Sequence, residues 1–334
     1  MQTPLDASLR FCPYETRSLA EGVDVRKRSV LAFLLTVLAA PPPEALTVPP
    51  ALSAKTCMPE LSGISWVPAL KRYVVVSDDT GQLDTPTWHA PWVFTVDLQG
   101  VFDPQVRVLE GLESLDDGES LTPGPDGTYF LTTSHAMTKK AQPKPARRQL
   151  VWLAVDGERL VVRGRFDLST LGLERVAAGR DEELDIEALA FRDGALFIGL
   201  KAPLDEQRRA SILRVADVVS VLEGKGKPVV TRWASPLFEV PDVEGKLVPE
   251  GVTDLLFLDD GRLLLAANAP KSGKPDGGGA LWLLEKPDAK PVLLHRFTQG
   301  LKPEGLTLTP DAKRVVVVFD RGQDGPQWVH VPVP

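Results

Sequence analysis

A unit that recurs five times constrains this chain more than anything else in it. Each copy has an acidic residue, a short apolar run, a tight turn and a second apolar run that ends on a polar residue. In the fullest copy, Asp185-Ile-Glu-Ala-Leu-Ala-Phe turns at Asp193-Gly194 into Ala195-Leu-Phe-Ile-Gly-Leu-Lys201. The others begin at Glu60-Leu-Ser-Gly, Glu119-Ser-Leu-Thr, Glu250-Gly-Val-Thr and Glu304-Gly-Leu-Thr, and return at Arg72, Thr128, Arg262 and Arg314. The glutamates are 54 to 68 residues apart. Self-similarity at such a period is the mark of a repeat architecture, and paired short strands around a Gly or Pro turn are hairpins.

The remainder of each unit supplies two further strands, so the spacing predicts four antiparallel strands per unit. That is a propeller blade. The fifth unit is one strand short, and a strand near Ala45–Val48 is expected to complete it. The reading is therefore an all-β fold, a β-propeller of five four-stranded blades closed by an N-terminal strand. Thirty prolines and 27 glycines, mostly between apolar runs, agree with strands and turns. Second strands such as Val315-Val-Val-Val-Phe are apolar throughout, as strands covered on both faces should be. Helix is expected only as short turns, around Leu171–Val176 or Ala216–Leu222.

The net charge of −7 argues against a nucleic-acid binder, whose footprint would be basic. Val25-Arg-Lys-Arg-Ser followed by the apolar run Val30–Ala40 has the order of a secretory signal, too short to span a bilayer. Residues 1–24 are read as an over-extended start, 25–41 as the signal and 42–334 as one propeller domain. The protein is expected to be exported, periplasmic or extracellular, with no membrane span after signal removal. Of its two cysteines, Cys12 and Cys57, only Cys57 would survive, which precludes an internal disulfide.

In a blade the first strand lies innermost, and the second returns to the same end. This topology gathers ten positions at one mouth: Glu60 with Asp79, Glu119 with His135, Glu187 with Lys201, Glu250 with Asn268, and Glu304 with Asp320. Asp116, Asp117, Asp181, Glu182, Glu183 and Asp185 lie beside them in sequence. Carboxylates crowded together need a compensating cation or their pKa values rise, and clustered oxygen ligands suit calcium. Glutamates that only bond a neighbouring backbone would satisfy the same pattern. Basic loops also follow the second strands, with Lys139, Lys140, Lys144, Arg147 and Arg148, then Arg208, Arg209, Lys271, Lys274 and Arg321. They suit a small anionic substrate, or are plain solvated surface. No G-x-S-x-G, Walker A, H-E-x-x-H or G-x-G-x-x-G motif occurs. Of four histidines, His135 is the one placed for acid–base work.

On these residues the chain resembles the phytase-like β-propellers of bacteria, which include domains with esterase-like activity of phytase. Glu60-Leu-Ser-Gly-Ile with Val-Val-Val-Ser-Asp78-Asp79 is similar to their opening blade. Asp185-Ile-Glu-Ala-Leu-Ala is similar to their D-x-E-G-L-A segment, with Ala188 where glycine is commoner. The resemblance covers about residues 57–330, and related propellers often have six blades where five units are counted here. It implies carboxylate-held calcium bridging to substrate phosphate. Glu60, Asp79, Glu187, Glu250, Glu304 and Asp320 would hold metal, and Lys201 and Arg321 the anion. The functional expectation is a calcium-dependent hydrolase of phosphate or other esters, with a calcium-dependent lactonase and a non-catalytic binding propeller as alternatives.

Overall fold

Every hairpin anticipated from the five units is present in the computed structural model, and the strands pair within each unit. The structure describes residues 41–53, 58–78, 92–138, 141–177, 183–242, 244–269, 278–298, 300–321 and 324–334. Residues 1–40, and with them the expected start and signal, lie outside it. So do Cys57, Asp79, Lys139, Lys140, Asp181, Glu182, Lys271 and Lys274, and of Asp320 only the backbone is considered.

In chain order the strands are β1 (Glu44–Ala45), β2 (Leu61–Val67), β3 (Arg72–Ser77), β4 (Trp92–Val96), β5 (Arg107–Glu110), β6 (Gly118–Pro123), β7 (Tyr129–Thr133), β8 (Gln149–Asp156) and β9 (Arg159–Asp167). There follow β10 (Asp185–Arg192), β11 (Ala195–Ala202), β12 (Ser211–Ala216), β13 (Val229–Ala234), β14 (Glu239–Pro241) and β15 (Leu247–Pro249). The last are β16 (Gly251–Phe257), β17 (Leu263–Asn268), β18 (Ala280–Leu284), β19 (Val292–Arg296), β20 (Lys302–Leu308), β21 (Arg314–Asp320) and β22 (Gln327–Pro332).

Three four-stranded sheets run β10-β11-β12-β13, β16-β17-β18-β19 and β20-β21-β22-β1. Glu44 and Ala45 pair with Trp328 and Gln327, so the spare N-terminal strand adds to the last unit. The first two units form a single eight-stranded sheet, β2-β3-β4-β5-β9-β8-β7-β6. They join at a short parallel pairing of Leu109 and Glu110 with Leu160 and Val161. The run after β13 that reads as an extra strand is a separate hairpin, β14-β15. Helix among the described residues is limited to short turns such as Leu168–Leu171 and Val218–Leu222.

The core lies between the sheets rather than inside any one of them. One apolar cluster fills each junction between successive units, and another joins the last to the first: Val316, Val318 and Trp328 pack with Ile64, Tyr73 and Val75. The continuously apolar second strands follow from this. Along β21, Val316 and Val318 face the first unit, while Val315, Val317 and Phe319 face the fourth. Side chains alternate across a strand, so a strand with cores on both sides needs an apolar residue at every position. Each such residue contributes roughly 1.5–3 kcal/mol on burial. The first strands of the units touch in a cycle: β2 with β6, β6 with β10, β10 with β16, β16 with β20, and β20 with β2.

The approach there is close. A Cβ at Gly63 in β2 would lie 2.8 Å from both the amide nitrogen of Leu121 and Cα of Ser120 in β6. Glycine at 63 is what lets the two backbones meet.

Candidate functional site

The five first strands share one irregularity, and it positions the site. In each, the pairing with the second strand slips by one residue. The residue left unpaired is Ser62, Glu119, Glu187, Thr253 or Glu304. A bulge of this kind re-aims its side chain. The residue after the bulge is Gly63, Ser120, Ala188, Asp254 or Gly305, and Gly63 meets Ser120 and Gly305 while Ser120 meets Asp254 where the strands converge.

This register differs from the one read from the glutamates. Glu60 lies two residues before its bulge and Glu250 three before. Each was matched to its unit by residue type, whereas the bulge is marked by the small residue that follows it. Glu60 precedes β2, and its amide donates to Ser77 Oγ. Glu250 is wholly buried in its own unit, where Trp282 Nε1 donates to its Oε2 at 3.2 Å. Burial pushes its carboxyl up to about 8.

The other three glutamates do come together. Lys201, at the end of β11, places Nζ 2.6 and 2.7 Å from the two carboxylate oxygens of Glu187. The same ammonium is 3.8 Å from Glu304 Oε1. Asn268, at the end of β17, donates from Nδ2 to that Oε1 at 3.0 Å. Burial raises the Glu187 carboxyl to about 8 against the pull of Lys201, and Glu304 raises it further. Two carboxyls this close do not both ionise readily, so Glu304 opposes the ionisation of Glu187. Burial works against the Lys201 ammonium, but Glu187 and Glu304 outweigh it and hold Lys201 charged. Glu119 is held well above the ordinary carboxylate range by burial first, then by Glu187, Asp117, Asp78 and Asp185. Four residues, each 7–8% exposed, thus make a buried centre of one ammonium and three carboxyl groups.

The remaining sequence candidates lie apart from this group. His135 sits at a positive φ of 62°, its Nε2 3.6 Å from Glu174 Oε1, and burial lowers its pKa. Arg321 donates to the Gly300 carbonyl and to Asp324. Four of the described basic-loop residues are also engaged. Lys144 and Arg147 both reach Asp116 at 2.7 Å, Arg147 is 3.1 Å from Asp117, Arg208 pairs with Glu239, and Arg209 with Asp205. Lysines and arginines tied to neighbouring acids present little free positive charge to a phosphate.

One residue the sequence reading passed over is Asp254. It lies in the apolar run Val252-Thr-Asp-Leu-Leu-Phe, fully enclosed where the first strands meet. Its Oδ2 accepts from the amide of Leu306 at 2.6 Å, and its Oδ1 from Ser120 Oγ at 3.0 Å. Ser120 Oγ in turn accepts from the Leu189 amide. The amides of Leu255 and Leu189 also favour its ionised form, yet burial keeps its pKa well above the usual value. Asp254 therefore links β16 to β6, β10 and β20. The signal for it was available: aligned on the residue after the bulge, the units read Gly63-Ile, Ser120-Leu, Ala188-Leu, Asp254-Leu and Gly305-Leu, with one acid among small residues.

The implied calcium can be tested against these side chains. Calcium takes six to eight oxygen ligands. Both oxygens of Glu187 are already on Lys201, and Glu304 Oε1 is on Asn268. Glu250 is committed to Trp282. Among the described residues, no three acidic, histidine or cysteine side chains group closely enough to hold a metal. The described residues therefore do not fit a calcium ion at this centre.

Among solved structures, the chain is similar to a gluconolactonase of Xanthomonas campestris, with 15% identity, a TM-score of 0.43, and 89% of this chain and 99% of that one covered. It is similar to a luciferin-regenerating enzyme at 10% identity and TM-score 0.43, covering 87% and 96%. An exo-beta-1,3-galactanase of Clostridium thermocellum has 8% identity and TM-score 0.49, covering 82% and 59%. No protein with a curated description matches. The family model for phytase-like proteins, described as esterase-like activity of phytase, matches residues 56–274. That is well over half of the chain, which belongs to this phytase-like family.

Proposed function

We propose that this chain is an exported ester hydrolase, built as a five-bladed propeller that its N-terminal strand closes. Its reaction centre is the group Glu119, Glu187, Lys201 and Glu304. Five apolar junctions in a cycle and the seating of β1 beside β22 support the architecture. The single observation that supports the chemistry is the gathering of buried carboxyl groups around one ammonium. Burial holds Glu119 well above the ordinary carboxylate range and raises Glu187 to about 8, with the Lys201 ammonium against Glu187. Glu119, crowded by other acids, serves as the acid, and Glu187, against the ammonium, as the base.

Water attacks the acyl carbon, and Glu187 takes its proton. The carbonyl oxygen gains negative charge beside the Lys201 ammonium, which stabilises it. The acyl C–O bond then breaks, and Glu119 gives its proton to the departing alcohol oxygen. The products are an acid and an alcohol, and the two carboxyl groups re-equilibrate through solvent.

The charge around the centre selects among esters. Asp78, Asp117 and Asp185 bear on Glu119, and Lys144 and Arg147 nearby are paired with Asp116 and Asp117. A dianionic phosphate monoester would be repelled, whereas an uncharged carboxylic ester or lactone would not. Calcium dependence, which the family resemblance implies, enters only as an arm of the test. Hydrolysis of p-nitrophenyl butyrate, a gluconolactone and p-nitrophenyl phosphate is measured with calcium chloride and with EDTA. Turnover of the ester or lactone, equal in both conditions, is expected, with none on the phosphate. Turnover confined to phosphate, or only with calcium, contradicts the proposal, and inertness toward all three favours a non-catalytic binding propeller.

A further inference from the structure

We propose that Lys201 is a resident cation, occupying the position that a divalent ion would otherwise take at the centre. Its ammonium lies against both oxygens of Glu187 and reaches Glu304, which belongs to a sheet that does not adjoin its own. It thus does what a central metal does, joining carboxylates delivered by separate sheets. Its seat is built into the backbone. Gly251 opens β16 directly over Lys201, and a Cβ there would run into the Lys201 carbonyl. The backbone of the strand end that carries the ammonium is thus packed closely against β16.

A second observation points the same way. Asn268 donates its amide nitrogen to Glu304, while its Oδ1 is buried with no hydrogen-bond partner. The amide that touches Glu304 thus keeps one buried oxygen beside the carboxylates, outside hydrogen-bond reach of the ammonium. Oxygen donors of this type are what a hard divalent cation takes. Lys201 supplies the carboxylate pair with one positive charge that cannot dissociate. The wild-type chain therefore has no requirement for calcium, and removal of the ammonium creates one.

The test uses the full-length protein purified in EDTA and then dialysed free of it. Thermal melts and titration calorimetry with calcium chloride and magnesium chloride are run on wild type, Lys201→Ala and Lys201→Met. Wild type is expected to melt at the same temperature with calcium and with EDTA, and to give no stoichiometric heat. Lys201→Ala should melt lower, recover with calcium more than with magnesium, and bind calcium at least tenfold more tightly than wild type. Lys201→Met, which fills the space without charge, should melt lower and show a smaller calcium response than Lys201→Ala. One-to-one calcium binding by wild type overturns the proposal, and so does a folded Lys201→Ala that ignores calcium. If Lys201→Ala does not fold, the wild-type arm decides alone. None of these readouts depends on turnover, so the outcome is independent of the ester-hydrolase reading.

Discussion

Asp254→Ala is expected to yield little or no folded protein. The substitution removes the acceptor for the Leu306 amide and for Ser120 Oγ, and the partner toward which the Leu255 and Leu189 amides point. The site is fully enclosed, so water does not replace the lost oxygens. Each stranded buried donor costs roughly 1–3 kcal/mol, and several together approach the whole stability of a domain, about 5–15 kcal/mol. Asp254→Asn keeps the shape and one acceptor oxygen, and should fold with a clearly lower melting temperature. The pH dependence carries a definite sign. The folded pKa of Asp254 lies above its ordinary value near 3.8, so the folded state holds the proton more tightly than the unfolded one. That contribution is complete at low pH and is lost as pH rises through the folded pKa. Urea melts across pH should therefore show wild type losing stability relative to Asp254→Asn as pH rises. A normally folded Asp254→Ala would mean that the centre is held by the apolar junctions alone.

Glu187→Ala should be the next most damaging change. It leaves the Lys201 ammonium buried, with Glu304 at 3.8 Å as its remaining ion-pair partner. Removing one partner of a buried ion pair typically costs about 3–5 kcal/mol, because the other charge is left uncompensated. The double variant Glu187→Met with Lys201→Met removes both charges and should recover most of that loss. Replacing a buried pair by apolar side chains is often neutral or better. Denaturant melts of the two single variants and the double give the coupling directly. Additive losses would show that the short Lys201–Glu187 contact contributes nothing to stability.

Much of the fold was legible in the sequence because the repeat has a physical period. Val315–Phe319 is apolar at every position because two cores flank β21, and its expected limits fall within the observed Arg314–Asp320. The shortage of one strand in the last unit likewise pointed to the pairing of Glu44–Ala45 with β22. Register was not legible. A bulge adds one residue to one strand, and alternation of apolar and polar residues does not reveal the shift. Glu60 and Glu250 therefore looked equivalent to Glu119, while the true counterparts are Ser62 and Thr253. Asp254 was hidden for a related reason. An acid within an apolar run resembles the solvent side of an edge strand until Ser120 and the amide of Leu306 close on it. For the described basic-loop residues Lys144, Arg147 and Arg208, the partners Asp116, Asp117 and Glu239 come from positions that sequence spacing does not tie to them.

The central claim is that carboxyl groups from three different sheets form one reaction centre, with Glu119 as its proton donor. The most direct test is the rate of Glu119→Gln on whichever ester or lactone the wild type turns over. Glutamine matches a protonated glutamic acid in shape and hydrogen bonding but has no proton to give. Its melting temperature should equal that of wild type, while kcat falls by about 10²–10⁴-fold. A folded Glu119→Gln that turns over at the wild-type rate would place the chemistry elsewhere and contradict the account.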